Sequence, residues 1–310
     1  MTVDEFPRER IAYVPINRRP DLRWKNGARL AVWIVPNLEH YQYLGDPRQP
    51  VDPYPRMPHP DMLIYSQVDQ GNRVGIWRML EVMDRYGLPA TCSLNLSVYE
   101  TYPEIAEACE ARGWEVMSHG IYNSRHHWGL SREAERAVIA DNIARHKALT
   151  GREMKGFFAP FASSTVHTEA LCAELGLQYY VDYGFDDQPT PVRVQNGYIL
   201  AMPYSFDVND GMNFRANIEA PEFAENTITM FDRLYRDSEA RGGRVMCVPL
   251  HPFFFGQPHR AKYLDQILGH IAGHTDIWVA TGGEINDWYR QHHLPKMMPL
   301  LRDAGFDDAF

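Results

Sequence analysis

The stretch RLAVWIVPNLEH, residues 29–40, decides the fold. Its first seven residues, Arg29–Val35, form a continuous apolar run, as expected for a parallel strand buried on both faces. The run ends on polar and titratable groups, Asn37, Glu39 and His40. Working outward, further short strand-like runs are Ala90–Leu96, Trp114–Met117, Gly156–Ala159, Tyr179–Asp182, Ile199–Met202, Val245–Leu250 and Ile277–Ala280. Helical segments alternate with them. Gly75–Tyr86 carries Ile76, Met79, Leu80 and Met83 at helical spacing and stops at Gly87. Tyr102–Arg112 stops at Gly113. Ser131 is set to cap the long segment Ser131–Thr150, with Glu133 and Glu135 in its first turn. Thr168–Gly176, Glu222–Arg241 and Gly283–His292 complete the series. This alternation predicts an α/β fold, a distorted (β/α) barrel of about seven strands in one domain spanning residues 1–310. A doubly wound open sheet fits the same pattern.

Composition narrows the function classes. The 310 residues are 45% hydrophobic and 23% charged, with a net charge of −9. That balance argues against nucleic acid or an anionic membrane surface as the main partner; a small-molecule substrate is expected, which the charge does not identify. The N-terminus MTVDEFPRERIAYVP lacks an apolar core segment, and no run of 18 apolar residues occurs, so a cytoplasmic protein is expected. Cys92, Cys109, Cys172 and Cys247 form no CxxC pair and read as reduced, buried thiols. Neither GxGxxG nor GxxxxGK[ST] is present. The proline-rich stretch from Gly45 to Pro60 is too long for a plain connector.

In barrels of parallel strands, reactive groups gather at strand C-termini. That rule selects Asn37, Glu39 and His40 after the first strand, His119 and Asn123 after the third, and Pro160 and Phe161 after the fourth. It also selects Asp182, then Tyr204 with Asp207, Asn209 and Asp210, and finally His251 with Phe253. Glu39 follows a very apolar run, and a carboxylate there is either paired or functional. His126 and His127 read as solvated loop residues, and Asp186-Asp187 as a turn before Gln-Pro-Thr-Pro. The set suits amide or imide hydrolysis: a carboxylate to activate water and a histidine to protonate the leaving nitrogen. Glu39 and His119 could share the first task and His251 perform the second. Zinc or another divalent metal could assist through Glu39, His119 and one more group, and catalysis without metal fits equally. No cysteine sits at a strand end and no GxSxG occurs, which disfavours a nucleophilic mechanism.

Several segments together carry a resemblance: RERIAYVP, DLRWKNGARLAVWIVPNLEH, NRVGIWRML, YGLPAT, WEVMSHGIYN, YYVDYGFDDQPTPV, MPYSFDVND, VPLHPFFFGQPHR and HTDIWVATGGEINDWY. In this order they resemble the NodB-like polysaccharide deacetylases, and more closely the branch with the PuuE-type allantoinases and cyclic-imide hydrolases. The resemblance implies a distorted (β/α) barrel. It also implies a strand-one carboxylate as base, a metal held by a second carboxylate and two histidines four residues apart, and a late histidine as acid. Carried over, Asn37 and Glu39 (or Glu39 and His40) hold the strand-one positions. His119 matches the first metal histidine, Asn123 stands where the second belongs, and His251 matches the late histidine. The allantoinase branch also lacks that second histidine and is similar in working without metal. FFAPFASS lacks the Thr-Gly-Arg of that branch, and LHPFF replaces a Cys/Arg-containing stretch. Phe161 and Phe253 therefore point to a more apolar or aromatic ligand. Asn37, His40, Pro160, Phe161, Tyr204 and Phe253 are the expected substrate contacts. The leading expectation is a hydrolase of non-peptide C–N bonds in a cyclic imide, ureide or N-acyl compound. A metal-dependent carbohydrate N-deacetylase and a non-catalytic ligand-binding relative are the alternatives, and a homo-oligomer is expected.

Overall fold

The computed structural model describes residues 10–45, 60–195, 197–240 and 242–306. Most of the proline-rich stretch after Gly45 lies outside them. The strands are β1 (Leu30–Leu38), β2 (Thr91–Leu94), β3 (Glu115–Ser118), β4 (Gly156–Phe157), β5 (Tyr179–Tyr180), β6 (Thr190–Val194), β7 (Gly197–Ala201), β8 (Arg244–Leu250) and β9 (Trp278–Val279). They run in the order β6-β7-β5-β4-β3-β2-β1-β8, with β9 also on β1. Every pairing is parallel except β6 with β7. The Val245 N–H reaches the Asp187 carbonyl at 2.8 Å, so β8 is tied to the segment that leads into β6. The expected distorted barrel is present, with nine strands among the described residues.

The helices are α1 (Met62–Gln70), α2 (Ile76–Tyr86), α3 (Val98–Thr101), α4 (Pro103–Ala111), α5 (Arg132–Thr150) and α6 (Thr168–Glu174). They continue as α7 (Asp210–Arg215), α8 (Ala220–Ala240), α9 (Pro252–Phe255), α10 (Ala261–Ala272), α11 (Gly282–Trp288) and α12 (Leu294–Asp303). Local chemistry sets their ends. The Ser131 hydroxyl accepts the Ala134 N–H at the start of α5, and Gly151 ends that helix in the left-handed region. Thr281 and Glu284 form a reciprocal capping box on α11. Cys92, Cys109, Cys172 and Cys247 are all buried and free, as expected.

Side-chain alternation along β1 explains its uninterrupted hydrophobicity. Leu30, Val32 and Ile34 pack outward against helices, in one core with Ile76, Met79, Leu264 and Ile267. Ala31, Trp33 and Val35 pack inward with Met117, Phe158, Tyr179, Tyr204 and Cys247. Trp33 Nε1 donates across the interior to the Pro203 carbonyl at 3.0 Å. Both faces are buried, so both must be apolar. The same period of two places Glu39 after Trp33, Val35 and Asn37 on the inward side. His119 follows inward Met117, and His251 follows inward Val245 and Cys247 in the same way.

Candidate active site

Glu39, His119 and His251 leave β1, β3 and β8 and meet at the strand C-termini, all three buried. Glu39 Oε1 lies 3.3 Å from His251 Nε2 and 3.6 Å from His119 Nε2. On its other side, His251 Nδ1 is 2.5 Å from Asp210 Oδ1, and its backbone N–H donates to Asp210 Oδ2 at 2.7 Å. Asp210 opens α7. It was one of several polar residues after the Tyr204 segment, and nothing in its sequence neighbourhood ties it to a residue 41 positions later.

Close backbone packing holds this group. The turn after His251 lies against a π-helical segment, Gly71–Gly75. A Cβ on Gly75 would sit 2.3 Å from the Pro252 carbonyl oxygen, and one on Gly71 2.6 Å from the Phe253 nitrogen. Gly211 works the same way: a Cβ there would lie 2.8 Å from His251 Cε1. Only glycine lets these backbones come that near.

Electrostatics follow from burial and pairing. Burial opposes charge on Glu39, but His251 and His119 outweigh it and hold the carboxyl well below the usual carboxylate range. Burial likewise opposes charge on His251, but Asp210 and Glu39 outweigh it and push the imidazole up to about 9. At neutral pH the centre therefore holds an ionised base beside a protonated acid. His119 Nδ1 faces the Phe158 carbonyl at 3.2 Å, and its ring stacks on Phe158. A carbonyl accepts only, so Nδ1 carries a proton, and Nε2 is turned toward Glu39.

The metal that the resemblance implies does not fit these residues as a three-ligand zinc site. His119 Nε2 and Glu39 Oε1 could flank a cation. The Asn123 amide, however, is engaged at both ends: Nδ2 donates to Tyr41 Oη at 2.9 Å and Oδ1 accepts the Phe161 N–H at 3.1 Å. Among the described residues, the only three His, Cys, Asp or Glu ligand atoms within 4.8 Å of one another belong to Asp232, His270 and His274, outside this centre.

Asn123 instead supports an unusual loop. Phe161 and Ala162 both adopt positive φ, 58° and 51°, a conformation costly for residues with a Cβ. The loop is braced from below by Asp182, which accepts the Ala159 N–H at 3.0 Å and the Ser164 hydroxyl. Burial pushes Asp182 up to about 7 despite those bonds. The Phe161 ring stacks on His126, and the Arg215 guanidinium lies 5.1 Å from its centroid. Tyr41, with burial as the main cause, is raised above the usual phenol range; Glu39 raises it further and Arg215 lowers it. Tyr41 and Arg215 carried no signal in the sequence.

The remaining expected contacts divide. Asn37 and Tyr204 bond one another at 3.2 Å inside the barrel. His40 is tied to Asn95 and Ser97. Pro160 is buried, while Phe253 lies 5.0 Å from the His251 ring. His126 and His127 are a correction: both are buried, not solvated. His127 Nδ1 pairs with buried Glu135 at 3.0 Å, and its N–H donates to Ser163. Asp186 pairs with Arg19 at 2.5 Å and bonds the Gln188 N–H, in keeping with a turn. A groove of about 1080 Å³ between Ile11–Ile16 and Tyr183–Asp187 contains none of the three central residues.

A carboxylate and an Asp-held histidine stand together at the C-terminal mouth of the barrel, the groups an acid–base hydrolysis needs. Comparison with known proteins shows what the chain is similar to. Residues 56–180 match the model of the polysaccharide deacetylase family. It is 26% identical to a putative polysaccharide deacetylase of Schizosaccharomyces pombe, covering 90% of this chain and 95% of that protein. It is 24% identical to a peptidoglycan deacetylase of Helicobacter pylori, covering 69% and 83%. Among solved structures, Puue allantoinase matches with a TM-score of 0.78 at 24% identity, covering 93% of this chain and 99% of that one. A probable polysaccharide deacetylase from Pseudomonas aeruginosa PAO1 matches with a TM-score of 0.76 at 25% identity, covering 89% and 96%.

Proposed function

We propose that the chain hydrolyses a non-peptide C–N bond in a small cyclic imide, ureide or N-acyl compound, with Glu39 as base and His251 as acid. The observation that carries this is the continuous line Asp210–His251–Glu39, with contacts of 2.5 and 3.3 Å. Glu39 takes a proton from water as the oxygen attacks the substrate carbonyl. The carbonyl carbon becomes tetrahedral, and the C–N bond breaks as His251 Nε2–H protonates the departing nitrogen. Asp210 fixes the tautomer and stabilises the imidazolium. Glu39 then returns its proton to His251. His119 Nε2, beside Glu39 Oε1, helps to orient the attacking water. Tyr41 and Arg215 hold the substrate oxygen, and the Phe161 ring covers an apolar or planar part of the ligand.

The names of the curated relatives favour a second reading, an N-deacetylase of acetylated sugars. One panel tests both: chelated wild type and Glu39→Gln against cyclic imides, ureides, N-acyl amines and N-acetyl sugars. Turnover of the first three groups, lost in Glu39→Gln, supports the proposal. Turnover of acetyl sugars alone, and only with added metal, supports the second reading.

No helix among the described residues is long and apolar enough to cross a membrane. Small, water-soluble substrates suit a cytoplasmic enzyme, and we propose that setting together with a homo-oligomer. Exposed Trp77, Trp128 and Met62 are compatible with association between copies. Light scattering giving a single-chain mass would overturn the oligomer.

A further inference from the structure

We propose that Asp232, His270 and His274 form a second site, outside the active centre, for a zinc-type divalent ion joining α8 to the end of α10. One ligand atom from each residue lies within 4.8 Å of the others, and all three residues are half-buried. Asp232 Oδ1 and His270 Nε2, on different helices, are 2.8 Å apart. That pair alone would be an ordinary surface contact. His274 is what makes it a site. It lies just past the end of α10, four residues after His270, and its ring comes within 5.0 Å of the His270 ring. Its Nδ1 lies 2.9 Å from the His270 carbonyl, so Nδ1 carries the proton and Nε2 keeps a lone pair. A metal-bound histidine is held in this way, with its outer nitrogen on a backbone carbonyl.

The rings are also held in place before any ion arrives. Phe231 touches His270 and His274 at centroid distances of 5.2 and 4.7 Å, and Tyr235 touches His274 at 5.2 Å. The Tyr235 hydroxyl is itself anchored on Asp276 at 2.6 Å. α10 ends at Ala272, so a cation here lies near the negative end of that helix. Two imidazoles and one carboxylate favour zinc, cobalt or nickel over calcium or magnesium, and three protein ligands leave room for water. α8 packs on β8, the strand that delivers His251, so the ion would brace the catalytic strand from outside.

The test uses the full chain without a histidine tag, stripped with chelator, in a His119→Ala background that removes the active-centre imidazole. Zinc is titrated by calorimetry, with bound metal counted by elemental analysis and melting followed in parallel. One zinc per chain is expected, with melting raised by zinc. His274→Ala and, separately, Asp232→Asn are each expected to weaken binding about tenfold or more and to abolish the melting shift. His274 is half-exposed beyond the end of α10, and circular dichroism of the variant confirms that the fold is kept. Zinc bound equally by His274→Ala, zinc lost already with His119→Ala, or no zinc bound at all would each overturn the proposal.

Discussion

Two buried carboxylates that face histidines in this barrel, Glu39 and Glu135, differ in how they are satisfied. Glu135 receives His127 Nδ1 and the Thr168 hydroxyl on one oxygen and the Thr165 hydroxyl on the other. Fixed neighbours meet both of its oxygens, tying α5 to the loop before it through His127 and to the start of α6 through Thr165 and Thr168. Among the described residues, the Glu39 carboxylate pairs with the Nε2 atoms of His119 and His251, at 3.6 and 3.3 Å, while its backbone carbonyl accepts from Asn72 Nδ2. No fixed hydroxyl or backbone N–H completes the carboxylate. A filled pair holds structure, whereas an unfilled charged pair at a strand mouth is poised to take up a water and pass on its proton.

The largest effect should come from Glu39→Gln, which keeps shape and removes the base. We expect kcat of the folded enzyme to fall by about 10³-fold. Next, Asp210→Asn should lower kcat by about 10²-fold and move the alkaline limb of the rate profile from near 9 toward ordinary histidine values. An unmoved alkaline limb would mean that Asp210 does not control His251. The opposite pattern is expected at the second pair. Glu135→Ala should cost about 3 kcal/mol of stability in denaturant titrations, while the folded fraction keeps its kcat. Loss of kcat without loss of stability would erase the distinction between the pairs.

The centre also marks stability against pH. His251 is raised from 6.5 to about 9, so its contribution is complete below 6.5 and disappears as pH rises through about 9. Glu39 is lowered from 4.5, so its contribution is complete above 4.5 and disappears as pH falls below that value. Wild type minus Glu39→Gln stability should therefore be greatest between about 4.5 and 6.5. The smallest effect is expected at Ala162. Replacing it with glycine relieves a positive φ and should stabilise by about 0.5 kcal/mol, after the added unfolded-state entropy is subtracted. Destabilisation would show that this loop is not strained.

How much of this was legible differs by element. The two-sided burial of β1 makes RLAVWIV recognisable, and strand parity then carries Glu39, His119 and His251 to one mouth. Strand β6 escaped notice because Pro191 and Arg193 interrupt its apolar pattern. Asp210 is a partner that only the closed barrel brings to His251. His126 and His127 look like solvated loop residues until Phe161 and Glu135 are folded over them. Asn123 marked a departure from a metal ligand, but its engagement with Tyr41 and the Phe161 backbone is a tertiary fact.

The most direct test of the account is hydrolysis of the imide, ureide and N-acyl panel by chelated wild type, Glu39→Gln and His251→Ala side by side. Steady turnover by wild type, reduced at least a hundredfold in both variants, is the predicted result. Turnover that survives in Glu39→Gln, or activity that appears only when metal is restored, would contradict it.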